Sequence, residues 1–211
     1  MTERSGLFIT FEGPDGSGKS TQMKMLADRL CALGYGVVET VEPGGTRIGE
    51  QIRRILLDPL HQEMRPRTEL LLYFAARAQN VEERILPALA EGKIVLSDRY
   101  TDSTMAYQGF ARSLGPEAVN ELHRLACHGL QPDLTLCYDV DVETGLARAR
   151  KRGVNRMDEQ EAGFHRRVRE AYLEMARREP RFRVIDGAPP PEDVFQATWN
   201  AVAPFIARVA R

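Results

Sequence analysis

The 211-residue chain has few cysteines, no excess of charge of either sign and no long apolar run. Its three cysteines, Cys31, Cys127 and Cys137, are widely spaced and form no C-x-x-C pair. This argues against a disulfide framework or a zinc site and favours a reducing compartment. A net charge of −1 gives no general attraction to nucleic acid or to a membrane surface. The apolar run near the amino terminus is too short for a signal peptide or a membrane span. We therefore expect a cytoplasmic protein that binds neither nucleic acid nor membranes.

Strand-like and helix-like segments alternate along the chain. Short segments rich in aliphatic and β-branched residues are predicted to be strands at residues 7–12, 36–42, 93–98, 133–140 and 182–186. Longer segments between them are predicted to be helices at residues 19–33, 69–91, 116–128, 159–178 and 192–208. The first, third and fourth strands are almost continuously apolar, which is typical of parallel strands covered on both faces. The alternation predicts an α/β fold, and the length fits one domain over residues 1–211.

The segment GPDGSGKST follows the first predicted strand and opens a helix. It matches the pattern G-x-x-x-x-G-K-[ST], in which glycines let backbone N–H groups surround an anion at a helix N-terminus. In this pattern Lys19 reaches the β- and γ-phosphates, and Ser20 is a ligand for Mg²⁺. The sequence therefore predicts ATP or GTP binding by Gly13, Pro14, Asp15, Gly16, Ser17, Gly18, Lys19, Ser20 and Thr21.

The residues outside this loop narrow the chemistry, because such loops serve switches, motors and kinases alike. The sequence has no N-K-x-D motif, which a guanine-reading switch would need. The third predicted strand ends in Asp98-Arg99 rather than in the Asp-Glu of many mechanical ATPases. Asp98 is a candidate magnesium neighbour, and Arg99 would add positive charge to a site holding two phosphorylated molecules. An ordinary surface ion pair explains the two residues equally well.

The segment GLARARKRGVNRM, residues 145–157, contains five basic residues and no acidic one. Most runs of charge are solvated helix faces. A phosphoryl group in transfer carries negative charge on its oxygens, however, and mobile arginines commonly offset it. Because Lys19 is the only cation of the glycine loop, we favour the second interpretation if the chain is a phosphotransferase.

Several motifs, in this order, resemble those of the bacterial thymidylate kinases. They are FEGPDGSGKST, EPGGT, LLLYFAARAQ, SDRYTDSTMAYQG, PDLTLCYDVD and RARKRG. The resemblance covers essentially the whole chain. It implies a P-loop kinase fold, with a five-stranded parallel sheet flanked by helices on both faces, and a lid around residues 145–157. It also implies phosphorylation of dTMP to dTDP by ATP with Mg²⁺, for dTTP synthesis, in a homodimer.

The resemblance assigns roles at the phosphates and the metal. Lys19 would hold the ATP phosphates, and Arg99 and Arg53 would bind the dTMP phosphate. Asp98 would lie near the metal with Ser20. The remaining catalytic arginine, Arg152, would come from the lid.

The resemblance also assigns the nucleoside pocket. Asp15 would face the 3′-hydroxyl of the sugar. Phe74 would stack on thymine, and Arg77, three residues later on the same helix face, would bond a thymine carbonyl. Thr104, Tyr107 and Gln108 would line the pocket, and the tyrosine would disfavour a ribose hydroxyl.

One position departs from the family pattern, and two alternatives remain open. Val41 stands where the family commonly has an arginine, and we hypothesise that Arg47 compensates for it. Another P-loop kinase would act on a different nucleoside monophosphate or on a deoxynucleoside. A nucleotide-dependent switch or binding module would bind ATP or GTP without transferring a phosphoryl group.

Overall fold

A computed structural model describes residues 5–151, 155–157 and 159–207. Its centre is a parallel five-stranded sheet in the order β2-β3-β1-β4-β5. The strands are β1 (Leu7–Glu12), β2 (Val37–Val41), β3 (Ile94–Asp98), β4 (Leu134–Asp139) and β5 (Phe182–Asp186). The predicted fold class and the predicted strands are thereby confirmed.

Helices surround the sheet. They are α1 (Lys19–Ala32), α2 (Arg47–Leu57), α3 (Pro66–Asn80), α4 (Leu86–Ala90), α5 (Thr101–Thr104), α6 (Pro116–Ala126), α7 (Val142–Arg150), α8 (Ala162–Arg178) and α9 (Pro191–Ile206). A π-helical segment, Val81–Ile85, joins α3 to α4, and a second one, Met105–Ala111, continues α5. None of the helices in the described part of the chain has the length and apolar character needed to cross a bilayer.

The central strands are buried because helices cover both faces of the sheet. Successive side chains of β1 point to opposite faces. Ile9 and Phe11 belong to one apolar cluster with residues of α1 and α9, and Phe8 belongs to a second cluster with residues of α3. The edge strands β2 and β5 are partly exposed. The carboxyl ends of β1 and β3 therefore meet at one edge of a rigid sheet, where the candidate site lies.

The five predicted helices are confirmed with shifted ends, and three further helices were not predicted. The predicted helix 116–128 ends at Ala126, since His128 adopts a left-handed conformation with φ of 52°. The missed helices are α2, α5 with its π-helical continuation, and α7. Two of them begin at a capping residue that the sequence displays. Thr46 Oγ1 accepts a hydrogen bond from Gly49 N, and Asp141 Oδ1 accepts one from Thr144 N.

Helix α7 lies directly on the glycine loop through a pair of glycines. A Cβ atom on Gly16 would be 2.0 Å from the carbonyl oxygen of Gly145. A Cβ atom on Gly145 would be 2.6 Å from the carbonyl oxygen of Asp15. The main chains can approach this closely only because neither residue carries a side chain. This contact fixes the first residues of the basic segment beside the loop.

Candidate active site

The glycine loop folds around its own lysine. Lys19 Nζ donates hydrogen bonds to the carbonyl oxygens of Gly13, at 3.1 Å, and Pro14, at 2.7 Å, and approaches Ser17 Oγ at 3.4 Å. Gly18 has a φ of 95° and stands immediately before α1, and no described atom lies within 4 Å of the place of a Cβ there. The loop thus leaves open space in front of the helix N-terminus, where an anion is favoured.

Two clefts meet at this loop. The first, of about 410 Å³, is called the α1 cleft; it is lined by Gly16, Ser17, Gly18, Lys19, Ser20, Thr21, Gln22, Arg148, Gly187, Pro189, Pro191 and Val194. The second, of about 380 Å³, is called the α3 cleft; its lining includes the predicted site residues Asp15, Lys19, Ser20, Arg53, Arg77, Asp98, Arg99, Thr104, Tyr107 and Gln108. Lys19 and Ser20 line both clefts, so a group bound in one can face a group bound in the other across the loop.

The two predicted magnesium neighbours lie side by side. Ser20 Oγ, in the first turn of α1, donates a hydrogen bond to Asp98 Oδ2 at the end of β3. A hydroxyl and a carboxylate are oxygen ligands of the kind that Mg²⁺ prefers. The described ranges contain no group of three His, Cys, Asp or Glu side chains that could hold a metal ion. A magnesium ion here would therefore need further oxygen ligands from phosphates and water, as is usual for nucleotide sites.

Arg99 projects from the end of β3 into the α3 cleft. Its backbone has a φ of 71°, in the left-handed region that side-chain-bearing residues seldom occupy. Its guanidinium donates to Asp15 Oδ1 at 2.7 Å, Ser103 Oγ at 2.9 Å and Tyr172 Oη at 3.2 Å. These contacts fix a permanent positive charge beside the loop, in a place where a phosphate can reach it.

Asp15 connects Arg99 to the next wall of the cleft. Its Oδ2 atom accepts a hydrogen bond from Tyr107 Oη at 2.6 Å, and the Arg99 guanidinium lies 5.1 Å from the centre of the Tyr107 ring. Asp15 is thus joined in one hydrogen-bonded group with two predicted site residues that lie more than 80 positions further along the chain.

The α3 cleft is lined by two residues, Arg77 and Thr104, that each carry a buried polar atom without a hydrogen-bond partner among the described residues. Arg77 is fully buried and donates through Nε to Glu42 and through Nη2 to the Tyr100 carbonyl oxygen, at 3.1 Å. No hydrogen-bond partner for Arg77 Nη1 or for Thr104 Oγ1 is found in the part of the chain that the structure describes. Such atoms are rare in folded proteins, and each one calls for a structural or functional explanation. A ligand with a carbonyl oxygen would satisfy the arginine.

Phe74 is placed differently from its neighbours. It is 3 % exposed, packs in the second apolar cluster and is not among the residues that line the α3 cleft. The Arg77 guanidinium lies 4.9 Å from the centre of its ring. Tyr73, the preceding residue, does line the cleft, and burial raises the pKa of its hydroxyl to about 12. Stacking of Phe74 on a base therefore stays a prediction.

The remaining arginines occupy different positions. Arg53 lines the α3 cleft and donates to the Pro43 carbonyl oxygen at 2.6 Å, next to a cis Glu42–Pro43 peptide. Arg47 begins α2 on the exposed surface and is not among the residues lining either cleft, whereas Val41 is a lining residue. The hypothesis that Arg47 compensates for Val41 therefore gains no support. Arg152 lies outside the described residues.

Among the described arginines of the basic segment, Arg148 lines a cleft. Arg148 lines the α1 cleft and donates to the carbonyl oxygens of Gly187 and Ala188 at 2.8 and 3.0 Å. The segment is thus tied to the turn that follows β5. One arginine of the run faces the nucleotide-binding loop rather than bulk solvent alone.

Sequence reasoning missed the carboxylate beneath Arg99. Glu12 is fully buried and accepts hydrogen bonds from Tyr100 N at 2.7 Å, Ser103 Oγ at 2.6 Å and Tyr172 Oη at 3.0 Å. Burial, and next the charge of Asp102, raise its pKa to about 7. The available signal was a single acidic residue at the end of the apolar segment LFITFE. Because Ser103 and Tyr172 contact both groups, Glu12 supports the base of the Arg99 site.

This carboxylate makes the free energy of unfolding depend on pH. The pKa of Glu12 in the folded state lies above its ordinary value, so burying the ionised carboxylate lowers the free energy of unfolding. This loss is fully present above pH 7 and absent below about pH 4.5. Relative to the wild type, Glu12→Gln should therefore gain on the order of 2 kcal/mol of stability between pH 5 and pH 8. Urea unfolding at pH 5, 6.5 and 8 measures the difference. Glu121→Gln, at an exposed position on α6, is the matched control. A difference that stays constant across this range would contradict the prediction.

Comparison with known proteins places these residues in one family's sequence pattern. A profile of the family described as "Thymidylate kinase" matches residues 11–198. A thymidylate kinase from Thermomicrobium roseum is 52% identical over 207 residues, covering 97% of this chain and 98% of that protein. One from Geobacillus sp. is 48% identical over 201 residues, covering 93% and 96%. One from Nitratidesulfovibrio vulgaris is 47% identical over 214 residues, covering 97% and 100%. The similarity therefore includes the residues of both clefts, not the glycine loop alone.

Proposed function

The chain belongs to the thymidylate kinase family, and we propose that it transfers the γ-phosphoryl group of ATP to dTMP, giving dTDP and ADP. In this proposal ATP occupies the α1 cleft and dTMP occupies the α3 cleft. The observation that carries it is the arrangement of the α3 cleft. It is lined by Arg77 and Thr104, which each have a buried polar atom without a partner in the described part of the chain, and by Arg99 beside the loop. A pyrimidine nucleotide matches both parts of the cleft. Its base has a carbonyl group for Arg77, and its phosphate is an anion for Arg99.

The donor phosphates would be held by the loop. Backbone N–H groups of residues 16–20 and the N-terminus of α1 favour the negative charge, and Lys19 would turn from its own loop's carbonyl oxygens to the phosphates. Ser20 and Asp98 would hold Mg²⁺, which when bound neutralises charge on the phosphate oxygens.

The acceptor would lie along the α3 cleft from Arg99 to Arg77. Arg99 and Arg53 would bind its phosphate, and Asp15 would accept the hydrogen bond of the 3′-hydroxyl. Tyr107, which is held by Asp15, would lie beside the sugar. Arg77 Nη1, for which the described ranges offer no partner, would donate to a thymine carbonyl. Thr104 and Gln108 complete the lining near the base.

This arrangement needs no general base. The second pKa of a phosphate monoester is about 6, so the acceptor is already mostly a dianion at neutral pH. The work of the chain is then to align the two nucleotides and to stabilise charge that spreads over the transferred group. Lys19 and Arg99, which both donate to the Gly13 carbonyl oxygen, would supply positive charge beside the loop. We keep Arg152 as a proposed third source, from the lid.

The assembly and location are proposals as well. A homodimer is supported by exposed apolar side chains on the packed pair α2 and α3, namely Ile48, Ile55 and Leu71. A cytoplasmic location and the absence of nucleic acid or membrane partners are supported by the unpaired cysteines and by the net charge of −1.

A panel of nucleoside monophosphates tests the proposed reaction. ADP formation from MgATP is measured with dTMP, dUMP, dCMP, dAMP and dGMP as acceptors, and also with ribothymidine monophosphate. We expect dTMP to be the best acceptor, dUMP to be weaker and the purine nucleotides to be inactive. The ribonucleotide should be weaker than dTMP because its 2′-hydroxyl would meet Tyr107. Preference for another acceptor, or ATP hydrolysis that is indifferent to all of them, would overturn the proposal.

A further inference from the structure

A second buried carboxylate lies outside the reaction described above. Glu69, in the first turn of α3, is 1 % exposed. It accepts hydrogen bonds from Arg156 Nη2 at 2.5 Å and from Gln108 Nε2 at 2.7 Å, and Arg112 Nη2 lies 3.4 Å away. Burying a carboxylate is costly unless charged partners surround it. Glu69 is therefore the centre of a cluster that joins elements distant in sequence.

Arg156 holds two elements at once. Its side chain is 3 % exposed, its Nε atom donates to the Leu56 carbonyl oxygen at 2.9 Å, and its Nη2 atom donates to Glu69. Its backbone N–H donates to the Leu57 carbonyl oxygen at 3.2 Å. The chain is thereby attached to the last turn of α2 and to the first turn of α3. A planar guanidinium can make the two side-chain bonds together, and an ammonium group cannot reproduce that geometry.

The residues on either side of Arg156 line the α3 cleft. Asn155 and Met157 are both part of its wall, as is Gln108, the other partner of Glu69. Arg156 itself is not among the lining residues. The single carboxylate of Glu69 therefore fixes three lining residues that come from two different segments.

A further arginine, Arg112, directly follows the π-helical segment Met105–Ala111 and reinforces the cluster. Arg112 donates to Gln160 Oε1 at 2.9 Å, and its guanidinium lies 4.9 Å from the centre of the Phe164 ring. Gln160 Nε2 donates to the Arg156 carbonyl oxygen at 3.2 Å. The backbone of Arg156 is thus held from both ends of the cluster. Its position does not depend on one bond.

Resting on the proposed function, we infer that Arg156 is a positioning residue for the acceptor nucleotide. Together with Glu69 it fixes Asn155 and Met157 as a wall of the α3 cleft and so sets the affinity for dTMP without touching it. The α1 cleft shares no lining residue with this cluster. Loosening Arg156 should therefore weaken dTMP binding selectively.

The test compares Arg156→Lys with Arg178→Lys, a matched substitution at an exposed arginine of α8. The dissociation constant of dTMP is measured by calorimetry without ATP, and the KM values of dTMP and ATP are measured by ADP release. We expect Arg156→Lys to raise the dissociation constant and the KM of dTMP about tenfold, as the loss of one charge-assisted hydrogen bond implies. The KM of ATP should stay within about twofold of the wild type, and Arg178→Lys should change none of the three.

Two results would overturn the inference. One is a dTMP affinity of Arg156→Lys equal to that of the control. The other is a parallel rise of both KM values with a loss of thermal stability, which would indicate general loosening. If Arg156→Lys does not fold, Arg112→Lys decides by the same readouts, because the Arg112 side chain is 20 % exposed and its loss is milder. A selective rise in the dTMP dissociation constant supports the inference, and an unchanged one contradicts it. Wild-type protein without dTMP-dependent ADP formation would instead refute the proposed function.

Discussion

Replacement of Arg99 by methionine is expected to lower kcat/KM for dTMP by about 10³-fold, the range seen when a preorganised charge at a transferring group is removed. The guanidinium is held by Asp15, Ser103 and Tyr172 before any ligand binds, so little of its electrostatic effect is lost in reorganisation. The KM of ATP should change by less than about threefold, because Arg99 lines the α3 cleft and not the α1 cleft. Steady-state kinetics with each substrate varied in turn measure both quantities.

The control for this variant is Arg177→Met, since Arg177 is an exposed arginine of α8 that pairs with Glu174. It should behave like the wild type, as expected for an exposed ion pair. Thermal unfolding of both variants separates a catalytic effect from a loss of folded protein. A folded Arg99→Met enzyme with kcat/KM near that of the wild type would show that another cation binds the acceptor phosphate.

Replacement of Lys19 by methionine is expected to lower kcat by at least about 10²-fold and to weaken ATP binding as well. The ammonium group is buried and donates hydrogen bonds to the carbonyl oxygens of Gly13 and Pro14. In the proposed reaction it would exchange these bonds for bonds to phosphate oxygens, and it lines both clefts. Its charge would therefore act on both nucleotides, whereas Arg99 lines the α3 cleft and not the α1 cleft. ADP release and calorimetric titration with a non-hydrolysable ATP analogue give the two effects.

Lys93→Met is the matched control, because Lys93 is half-exposed and pairs with Glu91 just before β3. A Lys19→Met protein that binds the ATP analogue and turns over as well as this control would show that the loop does not hold the donor phosphates. The loss of three buried hydrogen bonds could also lower the free energy of unfolding. Urea unfolding at one pH detects that change independently of turnover.

The sequence predicted the parts of the molecule that depend on local pattern. The five strands and the glycine loop followed from continuous apolar segments and from one spaced motif, because a buried parallel strand and a phosphate loop restrict nearly every residue within them. Helix α2 was not predicted although it begins after a capping residue, Thr46.

The supporting residues of the site could not be predicted in the same way. Glu12 and Tyr172 are 160 positions apart and meet only after β1 and α8 have packed. Glu69 and Arg156 are likewise brought together by tertiary packing. In the sequence, Glu69 looks like an ordinary helix residue and Arg156 like one more member of a basic run. For Phe74 the sequence pattern was compatible with two roles, in the core or stacked on a base. In the structure its side chain is buried in the second apolar cluster. Side-chain partnership between distant segments is a property of the fold and leaves no periodic trace in the chain.

The contact between Gly16 and Gly145 has a consequence for how this chain can vary by descent. Each of the two positions faces main-chain atoms of the other segment, so a side chain at either one cannot be accommodated by a smaller side chain opposite. The pair therefore has no compensating second substitution, and the two codons are constrained together although they are far apart. Gly145 lies well outside the phosphate-binding motif, yet a side chain there would meet the main chain of that motif. The phosphate-binding motif therefore also restricts substitution in α7, which contains the first residues of the basic segment.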